Sequence, residues 1–333
     1  MARVRTILAA LWTVTRRNSK SLASFSGNNL YYLGFGLLLM QDPGAFVLVL
    51  VILGLVLIFP LSSDPLQKIP RDRLALWPLS NRDYWLLRVL SPWLNPLTWF
   101  VAAIAVWKRL SLGLWALLGG LFAIGFVAPR FRRGGRVTAY RRIPHFPGPL
   151  DQLVRKNLRE IFCTLDFFAG LVLSVPALFF RAAGLLPSEA LLPLTLVVML
   201  TISTYAQTLF GLDGEGGLTR YRLLPIAGWQ ILIAKDAAFL LTAVLLTLPL
   251  APVEGFAAAL MALACGHHAS VIRRREQMRW RFQTSASFGS SVTQIVVMIL
   301  AGSGTAFAGA PILIPCNAAS TWWLGRAIDQ APG

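Results

Sequence analysis

The stretch WQILIAKDAAFLLTAVLLTLPL, residues 229–250, decides which kind of fold this chain adopts. Only two of its residues are charged, Lys235 and Asp236, and both lie near its start. A helix of about 20 mostly apolar residues matches the hydrocarbon thickness of a bilayer. The stretch therefore predicts a transmembrane helix. Because adjacent residues diverge on a helix, we expect Lys235 and Asp236 to snorkel to the membrane interface, and a proton relay is the alternative.

Similar apolar runs recur along all 333 residues, of which 56% are hydrophobic and 14% charged. Soluble domains carry about 25% charged residues, so the composition argues against a soluble protein. We expect an all-α polytopic bundle of about ten spans. The other predicted spans are Ser24–Met40, Ala45–Leu61, Leu86–Trp107, Leu110–Ala128, Leu165–Phe180, Leu191–Phe210, Phe256–Val271 and a pair within Val292–Gly325.

The net charge of +17 follows from this topology. With the N-terminus inside, the inner segments hold 28 of the 31 Lys and Arg residues, and only Lys108, Arg109 and Arg181 fall outside. Cytoplasmic loops of membrane proteins are enriched in these bases. We therefore expect both termini to be cytoplasmic and expect no nucleic-acid partner.

Two kinds of chemistry lack a sequence signature. The three cysteines are far apart, and the three histidines include no pair at i, i+4, so no metal centre or cofactor is expected. No phosphate-binding G-x-x-x-x-G-K-[ST] motif occurs, so the chain is not expected to hydrolyse ATP or act as an enzyme. For His267 and His268 we expect an interhelical hydrogen bond or a place near the interface, the alternative being a polar substrate route.

An internal repeat at an offset of 147 residues divides the chain. Residues 77–88, WPLSNRDYWLLR, align with residues 224–235, LPIAGWQILIAK. Both copies follow a predicted span, and both enter the next span with a base ten residues after a proline. We therefore predict two tandem membrane halves, at residues 1–140 and 141–333, with the span pair of the tail in the second half.

Each half also opens with an amphipathic segment. Apolar residues recur at helical spacing, while bases such as Arg5, Arg155, Lys156 and Arg159 occupy the other sides. Such helices lie in the membrane interface, the alternative being charged flanks of the next span. The apolar faces consist of Val4, Ile7, Leu8, Leu11 and Trp12 in the first half, and of Leu150, Leu153, Val154, Leu158, Ile161 and Phe162 in the second.

The two proline segments predict short cytoplasmic helices. Ser80 and Asp83 can form a capping box, and Gly228 relaxes the backbone where the second copy turns. Helices that start here would present Arg82 and Trp229 to the cytoplasm, just before the chain enters the bilayer. A plain loop before a span is the alternative.

These segments resemble the coupling helix of the membrane subunits of ABC-2 type exporters. The match is to Leu224-Pro225-Ile226-Ala227-Gly228-Trp229 with Lys235, and more loosely to Trp77-Pro78-Leu79-Ser80-Asn81-Arg82 with Arg88. The family unit usually has six spans and a base where Trp229 stands. The resemblance implies a permease of a bacterial cytoplasmic (inner) membrane that couples to a separate cytosolic ABC ATPase. A second permease subunit or a second copy is a further partner, besides membrane lipid. The implied coupling residues are Pro78, Asn81, Arg82, Arg88, Pro225, Gly228, Trp229 and Lys235.

Two other functions compete with this one. Asp213 and Glu215 are flanked by glycines and could hold a divalent metal in a membrane-embedded lipid or sugar transferase, although hard cations need more than two oxygen ligands. We expect instead that the pair lies in a solvated turn. The remaining alternative is a membrane scaffold that transports nothing.

Overall fold

The computed structural model describes residues 2–20, 79–94, 150–213, 226–272, 288–308 and 321–325 as continuous stretches. These residues and the pieces between them divide into two compact units, Met1–Gly135 and Arg136–Gly333. The shorter pieces are residues 46–48, 51–52, 66, 77, 98–99, 102–103, 106, 112–113, 115–116, 119–120, 145, 148, 220–221, 223 and 318.

The described stretches are helical and contain no strand, which confirms the all-α class. Three 3₁₀ helices extend or link the longer helices, at Ser91–Leu94, Ser188–Ala190 and Gly211–Asp213. The α-helices are α1 (Ala2–Lys20), α2 (Asn81–Leu90), α3 (Asp151–Phe162), α4 (Leu165–Ala182), α5 (Leu191–Gln207), α6 (Gly228–Thr247), α7 (Pro252–Ile272) and α8 (Phe288–Ala308).

In the first unit, α1 and α2 pack through apolar side chains. Val4 and Leu11 of α1 are buried in one cluster with Leu87 of α2, and Leu8 is partly buried against it. Helical spacing produces this face, as predicted. Trp12 was predicted on the same face but is 49% exposed, because each helical residue turns about 100° and position 12 lies about 80° from Val4.

Helix α2 begins at the predicted cap. Ser80 Oγ accepts the backbone N–H of Asp83 at 3.1 Å, and its hydroxyl donates to the Asp83 carboxylate at 2.7 Å. The helix ends at Leu90 and a 3₁₀ turn continues to Leu94, since Pro92 has no N–H to donate. The predicted span Leu86–Trp107 is therefore wrong as one continuous α-helix.

In the second unit, three helical segments are long and apolar enough to cross a membrane: Leu165–Ala182, Ser188–Gln207 and Gly228–Thr247. They match three of the predicted spans. Threonines and two serines within them donate to backbone carbonyls one turn back, as Ser174 Oγ does to Gly170 O at 2.9 Å. These bonds satisfy hydroxyl groups that an apolar environment would otherwise penalise.

Helices α7 and α8 complete the packed part of this unit. Helix α8 runs antiparallel to α5, because Gln294 near its start donates to Ser203 O at 3.1 Å while Gly302 near its end lies against Leu196. Residues 321–325 are helical, and Gly325 packs on the backbone of Trp229 at the start of α6. The C-terminal piece therefore lies at the same end of the unit as the start of α6.

Two glycines allow the helices of this unit to approach closely. A methyl group at Gly266 of α7 would lie 2.4 Å from Ala206 O of α5, and one at Gly255 would lie 2.5 Å from Thr247 Oγ1. Real carbon atoms do not approach so closely, so larger residues would separate these helices. Small residues at helix contacts are typical of membrane bundles.

Several spans predicted from the sequence lie largely on residues that the structure does not describe, and they stay predictions. The spans Ser24–Met40, Ala45–Leu61 and Leu110–Ala128 lie largely outside the described residues, as does the turn predicted within the tail. The ten-span topology, the tandem repeat and the boundary between residues 140 and 141 therefore remain expectations. What the described residues establish is a helical protein with three segments suited to a membrane.

Candidate functional site

A cluster of three charged side chains and a tyrosine lies where α3, the end of α5 and the start of α6 meet. It consists of Lys156, Asp213, Tyr221 and Lys235, and we call it the buried charge cluster because the side chains of Asp213, Tyr221 and Lys235 are enclosed, while that of Lys156 is 44% exposed. Lys235 lies two turns into α6 and is 0% exposed. The snorkelling predicted for Lys235 is therefore wrong: packing of α3 and the turn after α5 against α6 encloses its ammonium group.

The Lys235 ammonium group uses its full hydrogen-bonding capacity. It donates to Asp213 Oδ2 at 2.8 Å, to Leu209 O at 2.7 Å and to Asn157 Oδ1 at 3.3 Å. An ammonium group has three donors, so each has an acceptor. The acceptors come from two segments, α3 and the turn after α5, and Lys235 therefore ties both of them to α6.

Asp213 accepts from both lysines. Its Oδ2 accepts a hydrogen bond from Lys235. Its Oδ1 accepts hydrogen bonds from the Lys156 ammonium group and from the Tyr221 hydroxyl, the latter at 2.8 Å. Lys156 also donates to Tyr221 Oη at 2.7 Å and lies 3.6 Å from Glu160. Asp213 is thus buried and bridged, and the solvated turn predicted for it is wrong. Glu215 lies outside the described residues.

The environment keeps Asp213 charged and Tyr221 neutral. Burial by itself raises the pKa of Asp213, but the nearby ammonium groups of Lys235 and Lys156 more than offset burial, so the pKa of this carboxyl lies below its ordinary value. Burial and the Asp213 carboxylate raise the pKa of the Tyr221 phenol well above its ordinary value. Tyr221 is therefore a donor to Asp213 at neutral pH.

Two aromatic rings cover the lysines of the cluster. Lys235 Nζ lies 5.1 Å from the Phe210 ring centroid, and Lys156 Nζ lies 4.8 Å from that of Tyr221. The two rings meet edge to face, with centroids 6.2 Å apart. Ring faces attract cations. The Asp213–Lys235 pair is enclosed, with side chains 2% and 0% exposed, whereas Lys156 reaches the surface.

Helix α3 differs from the predicted interfacial helix in its polar side. Its apolar residues Val154, Leu158 and Ile161 are buried as expected, but Asn157 and Glu160 are buried as well. Helix α3 packs on α6 and reaches α4, and this packing covers the side that carries Asn157. The helix is therefore embedded in the unit, with Arg159 among its exposed residues.

A second buried cluster lies on another face of α6. The Asp236 carboxylate pairs with His267 Nε2 of α7 at 2.8 Å and accepts from Thr321 Oγ1 of the C-terminal piece at 3.0 Å. All three residues are at most 6% exposed. The interhelical hydrogen bond expected for His267 is confirmed, whereas His268 is exposed. Snorkelling of Asp236 is wrong because α7 and the C-terminal piece cover it.

The predicted coupling residues fall into three groups. Asn81 and Arg82 are exposed at the start of α2, and Arg88 lies half-buried with its guanidinium 5.9 Å from the centre of the Trp85 ring. Gly228 is buried, while Trp229 is 38% exposed at the start of α6. Lys235 belongs to the buried charge cluster and cannot contact a partner directly. Pro78 and Pro225 lie outside the described residues.

The two predicted helix starts have one feature in common. Helix α2 begins at Asn81 and α6 at Gly228, which are 147 residues apart, as the repeat predicts. The residues before them, Ser80 and Ala227, share an extended backbone with φ of −70°. Ala227 has only a methyl group, so the cap of α6 is completed from the other direction: Gln230 Oε1 accepts the Ala227 N–H at 3.1 Å.

Three residues of this region were not predicted from the sequence. Asn157 and Tyr221 gave no signal, because an asparagine on a basic helix and a tyrosine in a loop are ordinary. Leu223 is 81% exposed two residues before Pro225, and an exposed leucine is visible only in a structure. The burial of Lys235 had a signal, namely a lysine two turns inside an apolar span.

The cluster also bears on the transferase alternative. Both carboxylate oxygens of Asp213 are occupied by ammonium groups, which leaves poor access for a metal ion. Within the described ranges, no three His, Cys, Asp or Glu side chains come together as metal ligands. In comparisons with known proteins, no family model, curated protein or solved structure matches this chain.

Proposed function

We propose that this chain is the permease subunit of an ATP-driven exporter of the ABC-2 type. It would lie in a bacterial cytoplasmic membrane with both termini in the cytoplasm, and a separate cytosolic ATPase subunit would hydrolyse the ATP. Three helical segments suited to a membrane support a membrane-embedded role. The resemblance of the two proline segments to a coupling helix supports the partner.

The observation that carries the proposal is the position of the buried charge cluster. It lies within two turns of the start of α6, where Trp229 is exposed and where the preceding loop exposes Leu223. Transport driven by a partner requires an element that passes a movement from the docking surface to the spans. Lys235 joins α6 to α3 and to the turn after α5, so a push on this surface would move three elements together.

We propose two docking sites, one in each unit: Asn81 and Arg82 at the start of α2, and Leu223 and Trp229 at or just before the start of α6. Aromatic residues and arginine are the commonest energetic centres of protein interfaces. Trp229 lies one turn before Ile233 on the exposed apolar side of α6, which continues to Leu241 and Leu245. In the proposed orientation its indole would lie at the boundary between lipid and cytosol. The apolar side beyond it suits lipid, a second permease subunit or a second copy.

Co-purification tests the proposal. The detergent-solubilised chain should bring down an ATP-hydrolysing subunit in fixed stoichiometry, and Trp229→Asp or Arg82→Glu should weaken that association by at least about tenfold, since a central aromatic or arginine is worth about 2 kcal/mol. Trp229→Phe keeps an aromatic ring and is the matched control for membrane insertion and folding. If both charged variants keep full ATPase association, both proposed docking sites are rejected.

A further inference from the structure

The C-terminal piece, residues 321–325, has two faces of different chemistry. Thr321 and Leu324 are 4% and 5% exposed, and Gly325 packs on the backbone of Trp229. Trp322 and Trp323 are 51% and 65% exposed. Residues at i, i+3 and i+4 share one side of a helix, so the piece presents a bound inner face and an outer face made of two indoles.

The contacts of the inner face determine where residues 321–325 lie along the axis of α6. Thr321 donates to Asp236, whereas Gly325 lies at Trp229, seven residues nearer the start of α6. Seven helical residues span about 10 Å along the axis. The piece therefore runs antiparallel to α6, along its first two turns.

That position determines what surrounds the two indoles. The candidate span Gly228–Thr247 has 20 residues, which is about 30 Å of helix and close to the thickness of the hydrocarbon core. Its first two turns then extend about 10 Å inward from one edge of the hydrocarbon core, and this edge is the cytoplasmic one in the proposed orientation. Tryptophan concentrates near this edge because its ring is apolar while its N–H can reach polar groups.

We propose that residues 321–325 form a lipid-binding anchor of the inner leaflet, with Trp322 and Trp323 at the edge of the acyl chains, just beneath the headgroups. The cluster of Asp236, His267 and Thr321 holds the anchor to α6 and α7. The proposal rests on the proposed orientation, in which α6 spans the membrane from its cytoplasmic start, and it is independent of the ATPase. The ligand is membrane phospholipid of that leaflet, which the exposed indole rings contact.

Photo-crosslinking of the full chain tests this proposal without the ATPase. The photoreactive residue benzoylphenylalanine replaces Trp322, Trp323 or, as the buried control, Leu324, in vesicles of phosphatidylethanolamine and phosphatidylglycerol. Lipid adducts measured by mass spectrometry should be at least about tenfold more abundant at 322 and 323 than at 324, as expected for side chains in the interface. Equal, background adducts at all three positions would overturn the anchor.

A second measurement covers variants that insert poorly. Spin labels on single cysteines at the same three positions report collisions with oxygen, which concentrates in lipid, and with a water-soluble nickel chelate. The anchor predicts preferential collision with oxygen at 322 and 323. Preferential collision with the nickel chelate at both positions, or crosslinks from them to an added ATPase in place of lipid, would contradict the proposal.

Discussion

Helices α2 and α6 begin 147 residues apart at corresponding positions, yet the chain secures them differently. The start of α2 depends on local bonds from Ser80, and the helix stops at Leu90. The start of α6 has an alanine at the cap position, and the helix continues for 20 residues. The hydrogen bonds of Lys235 hold the start of α6 in place. The residue of α2 that lies 147 positions before Lys235 is Arg88.

The difference between Arg88 and Lys235 shows what a repeat in sequence does and does not determine. Both bases stand ten residues after a proline. Arg88 lies half-buried beside the Trp85 ring, whereas Lys235 is fully enclosed and bonded to α3 and to the turn after α5. The backbone start is a local property, but anchoring depends on which elements pack against the helix. We therefore expect α6 to transmit force more directly than α2.

Removal of the Lys235 charge should have the largest effect. Lys235→Met leaves Asp213 buried with only part of its compensation, and removal of one partner from a buried pair costs about 3–5 kcal/mol. Arg88→Met, at the corresponding position of α2, should cost less than about 1 kcal/mol. Unfolding by sodium dodecyl sulfate in mixed micelles measures both. Equal losses would remove the contrast between the two helix starts.

The double variant Lys235→Met with Asp213→Leu sharpens this prediction. Replacement of both charges by apolar groups is often neutral, so much of the loss in Lys235→Met should be recovered. A double variant as unstable as the sum of its single variants would show that the two side chains do not interact.

Low pH should weaken the interaction of Asp213 with Lys235 less than Lys235→Met does, because it neutralises Asp213 without removing a side chain. The pKa of this carboxyl is lowered in the folded protein, so folding favours the charged form. Its stabilising contribution is complete above the ordinary aspartate pKa of about 3.9 and is lost as the pH falls through the lower folded value. The stability difference between the wild-type chain and Asp213→Asn should therefore stay constant from neutral pH to about 5 and shrink below about 4. A difference that shrinks above pH 5 would contradict the lowered pKa.

Exchange of the caps should have the smallest effect and should act in opposite directions at the two starts. Ser80→Ala removes the bond to the Asp83 N–H and should destabilise α2 by about 1 kcal/mol, whereas Ala227→Ser should stabilise α6 by about 0.5 kcal/mol or more. Hydrogen exchange of the first-turn amides measures both. Faster exchange after Ala227→Ser, or unchanged exchange after Ser80→Ala, would show that local capping does not set these helix starts.

The sequence predicted the features that depend on local patterns. Hydropathy located three helices that are long and apolar enough to cross a membrane, and the cap at Ser80 was predicted from its spacing to Asp83. The inner face of α1 followed from helical periodicity, except at Trp12. These features are local because each depends on residues within a few turns of one another.

The buried charges could not be predicted in the same way. Asp213 looked like part of a flexible glycine-rich turn, and Lys235 and Asp236 looked like an interfacial pair. Their partners Lys156, Asn157, His267 and Thr321 lie between 31 and 85 residues away in the sequence, counted from the bonds they make. A single sequence carries no sign of such pairing, because it depends on how separate helices pack.

Crosslinking from the two helix starts to the ATPase subunit tests the central proposal most directly. Photoreactive residues at the exposed positions Asn81 and Leu223 would be placed in the assembled complex, with exposed Leu185, in the predicted external loop between α4 and α5, as the control. The proposal predicts crosslinks to the ATPase from both Leu223 and Asn81, and none from Leu185. The yield should be higher from Leu223, because Lys235 fixes α6 to its neighbouring segments. Absence of crosslinks from both Asn81 and Leu223, in a complex shown by other means to be assembled, would contradict the coupling role and remove the main support for a transporter subunit.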